Sequence, residues 1–140
     1  MSKAIPSSSN DSGSNDSGSS AIDSADDLLR RRSRPAQAAL AAAEAARLLA
    51  LLPGWRLEDG RLCADYAFQN YHHTMAFVNA LAYLSHTEDH HPELTVTYKN
   101  CTIRYDTHCI ANHAGAGLSE NDFICAAKAA VLFHAGAAKQ

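Results

Sequence analysis

The seven residues HTEDHHP, 86 to 92, hold three histidines (His86, His90, His91) and two carboxylates (Glu88, Asp89) before Pro92. Imidazole changes charge near neutral pH, so such a cluster suits proton transfer, a divalent metal, or no more than a solvated helix end. His108 and His113 follow later in the chain. Which chemistry applies depends on the elements that position these groups.

Periodicity gives those elements. Ala36 to Leu52, rich in alanine and leucine between Pro35 and Pro53-Gly54, predicts a first helix. RLCADYAF (61 to 68) alternates like a half-buried strand, and Trp55 and Leu57 ahead of Asp59-Gly60 predict its hairpin partner. Asn70 is placed to cap a helix from Tyr71 to about His90, with Ala76, Phe77, Ala80, Leu81 and Leu84 on its apolar face. LTVTY and CTIRYDT, joined at Lys99-Asn100, predict a second hairpin. In GLSENDF, Ser119 and Asp122 have capping-box spacing, flanked by Leu118 and Phe123, and open a last helix to about His134. The order αββαββα predicts an α+β domain: a single four-stranded antiparallel sheet with three helices packed on one face. The other face is left polar or free for a partner.

At 140 residues the chain has room for one domain. SSSNDSGSNDSGSS (7 to 20) has no apolar side chain to bury, so residues 1–34 are expected to be a disordered low-complexity tail and 35–140 the domain. RRRSR (30 to 34) is the only cationic run; Asp23, Asp26 and Asp27 beside it predict a solvated linker rather than a nucleic-acid arm. Cys63, Cys101, Cys109 and Cys125 lack C-x-x-C pairing, and no stretch approaches the roughly 20 apolar residues of a membrane span. A reduced, soluble, intracellular protein is expected.

On a helix ending near His90, His86 and His90 lie one above the other, while His91, restricted by Pro92, departs in an extended direction. Zinc could then sit between His86 and His90 with His108 or His113. Yet Thr87 stands where a zincin has its glutamate, and no paired Cys or Asp completes a site, so no metal is expected. A solvated helix end explains the histidines but not Glu88 and Asp89, which sit where the helix dipole disfavours negative charge. The proton-transfer reading uses both: carboxylates and a helix C-terminus favour the imidazolium, so one histidine can donate while another accepts. His108, just past the last strand, suits the second role.

His86, His90-His91-Pro92, Tyr98, His108 and Asp122, with LLALLPGW, MAFVNALAYLSHTEDHHPEL and GLSENDFICAAK, closely resemble the pterin-4a-carbinolamine dehydratases. The resemblance implies the same fold and a hydro-lyase: dehydration of 4a-hydroxytetrahydrobiopterin to quinonoid dihydropterin, recycling the cofactor of aromatic amino acid hydroxylases. It implies His90 and His108 as the acid–base pair and His91 as a catalytic residue that chiefly orients the pterin, with Asp89 and His86 as further substrate contacts. No cofactor or metal is required. A homodimer or homotetramer, a functional link to a pterin-dependent hydroxylase and a cytoplasmic location, with a nuclear alternative, are also implied. The alternative function is a dimerisation or transcriptional cofactor module on the same fold.

Pro92, Tyr98 and Asp122 match the motif but have structural explanations: helix stop, strand core, capping. Cys109 is expected to be a small buried residue. Two features depart from the family. His86 stands where glutamate is frequent, and CIANHAGA (109 to 116) is longer than usual, so it either forms a lid or displaces His108.

Overall fold

Asp59 and Gly60 both adopt positive φ, 53° and 75°, the turn conformation that matches the twist of two antiparallel strands. They join β1 (Arg56–Glu58) to β2 (Arg61–Ala67) as the Asp-Gly pair predicts. The computed structural model, which describes residues 21–111, 113 and 115–137, completes the sheet with β3 (Glu93–Val96) and β4 (Asn100–Tyr105). The four strands run in the order β1-β2-β4-β3, every neighbour antiparallel. The helices are α1 (Ala25–Leu29), α2 (Ala42–Leu49), α3 (Tyr71–Glu88) and α4 (Glu120–Ala137).

Alternation decides the two faces of the sheet. Leu62 opposite Tyr105 and Ala64 opposite Ile103 are fully buried and meet Phe77, Leu81 and Phe123 in one core. The residues between them carry a polar ladder on the other face. Asp65 accepts from Arg56 Nη1 (2.8 Å) and from the Thr102 hydroxyl (2.6 Å), and Arg104 Nη1 donates to Thr95 (3.1 Å). The expected α+β architecture is present, with one short helix more than expected.

That extra helix corrects the expected boundary at residue 34. Ser24 caps α1 in a capping box with Asp27, Leu28 is fully buried and Ile22 is 2% exposed in the main core. From Ala21 onward the chain is part of the fold; the low-complexity stretch 7 to 20 lies outside the described residues. RRRSR stays largely solvated, Arg30 and Arg32 being 70% and 71% exposed, but it is also tied to distant parts of the fold: Arg31 on Glu120 (3.4 Å) and Arg32 on Glu88 (3.2 Å).

Two helix boundaries also differ. The expected helix over 36–52 forms only as α2, since Ala111 N–H donates to Ala36 O (3.1 Å) and Leu40 N–H to Leu118 O (2.8 Å). Backbone groups committed to a distant loop cannot join a helix. Helix α3 starts at the expected Asn70 cap but ends two residues early. Asp89 is left-handed (φ 51°, ψ 43°), and His90 N–H closes the helix on Ser85 O (3.2 Å) in a Schellman end. Among the described residues no helix is long and apolar enough to cross a membrane.

Candidate functional site

The early end of α3 positions its histidines. His86 remains on the last turn and is exposed; His90 lies beyond the Schellman end and turns inward, so the two do not share a helix face. His90 Nε2 lies 2.6 Å from Asp122 Oδ1, and its ring stacks on Tyr105 at 5.8 Å and 8°. Its side chain is 11% exposed and that of Asp122 is fully buried.

Asp122 is fixed by three further contacts of its neighbourhood. Its Oδ2 accepts from Ser119 N–H (2.9 Å) and from the Thr107 hydroxyl (2.9 Å), and that hydroxyl also meets Ser119 Oγ (2.8 Å). Half of the expected capping box therefore forms, with the Ser119 hydroxyl turned to Thr107 instead of the helix. The cap explains one oxygen of Asp122; the other holds His90. A carboxylate there requires Nε2 to carry a hydrogen, which leaves Nδ1 as the exchangeable nitrogen of neutral His90. Nδ1 makes no hydrogen bond among the described residues. In the sequence the only signal for this second contact is the match of Asp122 to the family motif, since capping spacing accounts for one oxygen alone.

His108 follows β4 and is paired with Asp106, Nε2 to Oδ1, at 3.0 Å. The long loop behind it is closed at its base. Thr107 N–H donates to Gly117 O (2.8 Å) and Gly117 N–H to Thr107 O (3.0 Å), while buried Ile110 bridges to Ala36. A Cβ on Gly117 would lie 3.1 Å from His113 Nε2 and 3.3 Å from Ile110 Cδ1, so the loop packs down on this glycine. The described residues of this loop leave His108 open to solvent, its side chain 77% exposed.

These elements enclose a cleft of about 500 Å³ lined by Asp89, His90, His91 and His108, with Asp106, Asn121 and the segment Ser33 to Ala36 among its other walls. Of the site residues expected from the sequence, only His86 lies outside it. Cys109 is exposed at the cleft instead of buried. Tyr98 is not strand core: it is exposed in the β3–β4 turn and stacks on Tyr71 at 6.0 Å. Burial pushes the thiols of Cys101 and Cys125 up to about 11 and about 12, which keeps them protonated and unreactive at neutral pH. Among the described residues no three His, Cys, Asp or Glu side chains converge as a metal site.

Glu88 has a separate explanation. Its buried carboxylate accepts from Lys128 Nζ (2.7 Å) and Ser33 N–H (2.8 Å), with Arg32 Nε at 3.2 Å. Burial alone would raise its pKa, but the Lys128 and Ser33 hydrogen bonds and the two cations outweigh burial and hold it below the ordinary glutamate range. An acid at the unfavourable end of a helix is thus a clasp for the N-terminal segment.

A polar-faced four-stranded antiparallel sheet carrying two long helices, with His90 and His108 beside Asp122 and Asp106 around one cleft, defines an α+β domain. The chain belongs to the pterin 4 alpha carbinolamine dehydratase family, whose family model matches residues 38–132. A Bdellovibrio bacteriovorus protein provisionally named a pterin-4-alpha-carbinolamine dehydratase is 48% identical over 102 residues, 73% of this chain and 84% of the relative. A Dechloromonas aromatica protein with the same provisional name is 50% identical over 105 residues, 73% of this chain and 89% of the relative. Among solved structures, a transcriptional coactivator/pterin dehydratase from Brucella melitensis superposes with a TM-score of 0.60 at 25% identity. It covers 69% of this chain and 99% of its own.

Proposed function

We propose that this protein dehydrates 4a-hydroxytetrahydropterins, of which 4a-hydroxytetrahydrobiopterin is one, to quinonoid dihydropterins. The observation that carries the reading is His90 held by Asp122 in a cleft that also contains His91 and His108. The reaction breaks the C4a–OH bond, delivers a proton to the departing oxygen, and removes the N5 proton as the C4a=N5 bond forms. No electrons leave the pterin, so two proton transfers suffice. His90 and His108 divide them, each with a carboxylate behind it, Asp122 and Asp106.

Asp122 fixes the orientation of His90 by a hydrogen bond, Asp106 lies 3.0 Å from His108, and general acid–base groups of this kind contribute about 10²- to 10⁴-fold each. Asp89 has no hydrogen-bond partner for its carboxylate among the described residues. It fits the amino and N–H edge of the pterin pyrimidine ring, while His91 orients the bicycle. His86, outside the cleft, is not assigned to the substrate. The physiological role is recycling of the cofactor of a pterin-dependent hydroxylase. Copies associate through apolar surface on α3 and α4, where Tyr83 and Val131 are exposed. The reading is tested by generating the 4a-hydroxytetrahydropterin in situ and following its loss with and without the purified protein. Acceleration supports it; an unchanged rate in the presence of folded protein removes it.

A further inference from the structure

One wall of the cleft is formed by Ser33, Arg34, Pro35 and Ala36, ahead of the residues 38–132 that match the family. This wall is firmly mounted. Ser33 N–H is held by Glu88 (2.8 Å), and Ala36 O accepts from Ala111 N–H (3.1 Å). Between them, buried Asn121 clamps Arg34 twice, accepting from its N–H (3.1 Å) and donating to its carbonyl (2.6 Å).

The side chain on this mount is exposed, and its guanidinium has no hydrogen bond or ion pair among the described residues. Its neighbours differ: Arg30, Arg31 and Arg32 face Asp27, Glu120 and Glu88. Arg34 also borders the adjoining groove of about 520 Å³ that those three arginines line. Three nearby acids are engaged elsewhere, Glu88 by Lys128, Asp106 by His108 and Asp122 by His90; Asp89, on the same cleft, makes no ion pair with Arg34 among the described residues. A guanidinium fork matches phosphate or carboxylate, and a clamped main chain reduces the ordering cost of using it.

We propose that Arg34 binds an anionic group, phosphate or carboxylate, on the C6 side chain of the pterin and so selects anionic over neutral pterins. This rests on the cleft being the pterin site proposed above. It gives the N-terminal segment a role in specificity that the histidines cannot supply.

The test is equilibrium binding to the full chain of 7,8-dihydroneopterin, its 3′-phosphate and 7,8-dihydrofolate, followed by ligand fluorescence, for wild type, Arg34→Gln and Arg34→Lys. Wild type should bind the anionic ligands about tenfold more tightly than the neutral one, as one charge-assisted hydrogen bond allows. Raising salt should weaken that preference. Arg34→Gln should bring the ratio close to one, and Arg34→Lys should keep part of it. Loss for both anions identifies charge as the feature read; loss for the phosphate alone identifies phosphate geometry, and both support the proposal. Binding of the neutral pterin with no anion preference, or a preference that survives Arg34→Gln, overturns the proposal alone. Absence of binding by every pterin overturns the pterin-site reading along with it.

Discussion

His90 leaves the C-terminal end of α3, Asp122 opens α4, and they meet at 2.6 Å beneath the face of Tyr105. The pair couples the proposed chemistry to the fold: the carboxylate that orients the imidazole also closes the first turn of α4 and holds Thr107, one residue before His108. A shift of either helix would be felt at both proposed proton-transfer groups.

Asp122→Asn should therefore lower turnover by about 10²- to 10⁴-fold. The amide can still cap the helix, but by donating to Nε2 it stabilises the tautomer with hydrogen on Nδ1. Steady-state kinetics beside far-ultraviolet circular dichroism checks this. A folded variant with wild-type turnover would show that the carboxylate serves only α4.

The Glu88–Lys128 contact at 2.7 Å is largely buried, with side chains 5% and 17% exposed. Lys128→Met should cost about 3 kcal/mol, because it leaves a buried carboxylate without its main partner. The double variant with Glu88→Gln should recover most of that loss. Urea unfolding measures both, and an additive double variant would contradict the pairing.

Acid should loosen the same clasp. The folded carboxyl of Glu88 titrates below the ordinary glutamate range, so its contribution is complete above that range and fades as pH falls through the lower folded value. The stability advantage of wild type over Glu88→Gln should be constant near neutrality and shrink as pH falls below the unperturbed glutamate value of about 4.3. Unfolding curves across pH 3 to 7 give the comparison; an advantage that grows on acidification would reverse the assignment.

Removing residues 1–34 should not be neutral. Ile22 and Leu28 leave the core, at about 1.5–3 kcal/mol each, and Ser33 and Arg34 leave the cleft. The truncated chain should melt lower and bind pterin more weakly than the full chain, as thermal unfolding and ligand titration would reveal. Leu28→Ala alone should cost about 2–5 kcal/mol.

The sheet was readable because its signals are local: alternation of Leu62, Ala64 and Tyr66 against Asp65, and the Asp59-Gly60 turn. Helix limits were less readable because they depend on distant backbone partners, Ala36 with Ala111 and Leu40 with Leu118. Pro92 announced that α3 stops, but left-handed Asp89 decided where, and with it the separation of His86 from His90. The docking of residues 21–34 is signalled only by Ile22, Leu28 and Leu29, because the neighbouring aspartates offer the arginines local partners while Arg31 and Arg32 pair with distant glutamates. Asp106 and the second oxygen of Asp122 gain meaning only when the histidines are placed in space.

The most direct test of the central claim is the single-turnover rate of 4a-hydroxytetrahydropterin dehydration by wild type, His90→Gln and His108→Gln, with folding checked in each. Two histidines sharing the proton transfers predict marked acceleration by wild type and losses of about 10²-fold or more in each variant. Variants that remain folded and turn over at the wild-type rate would contradict acid–base catalysis by this pair.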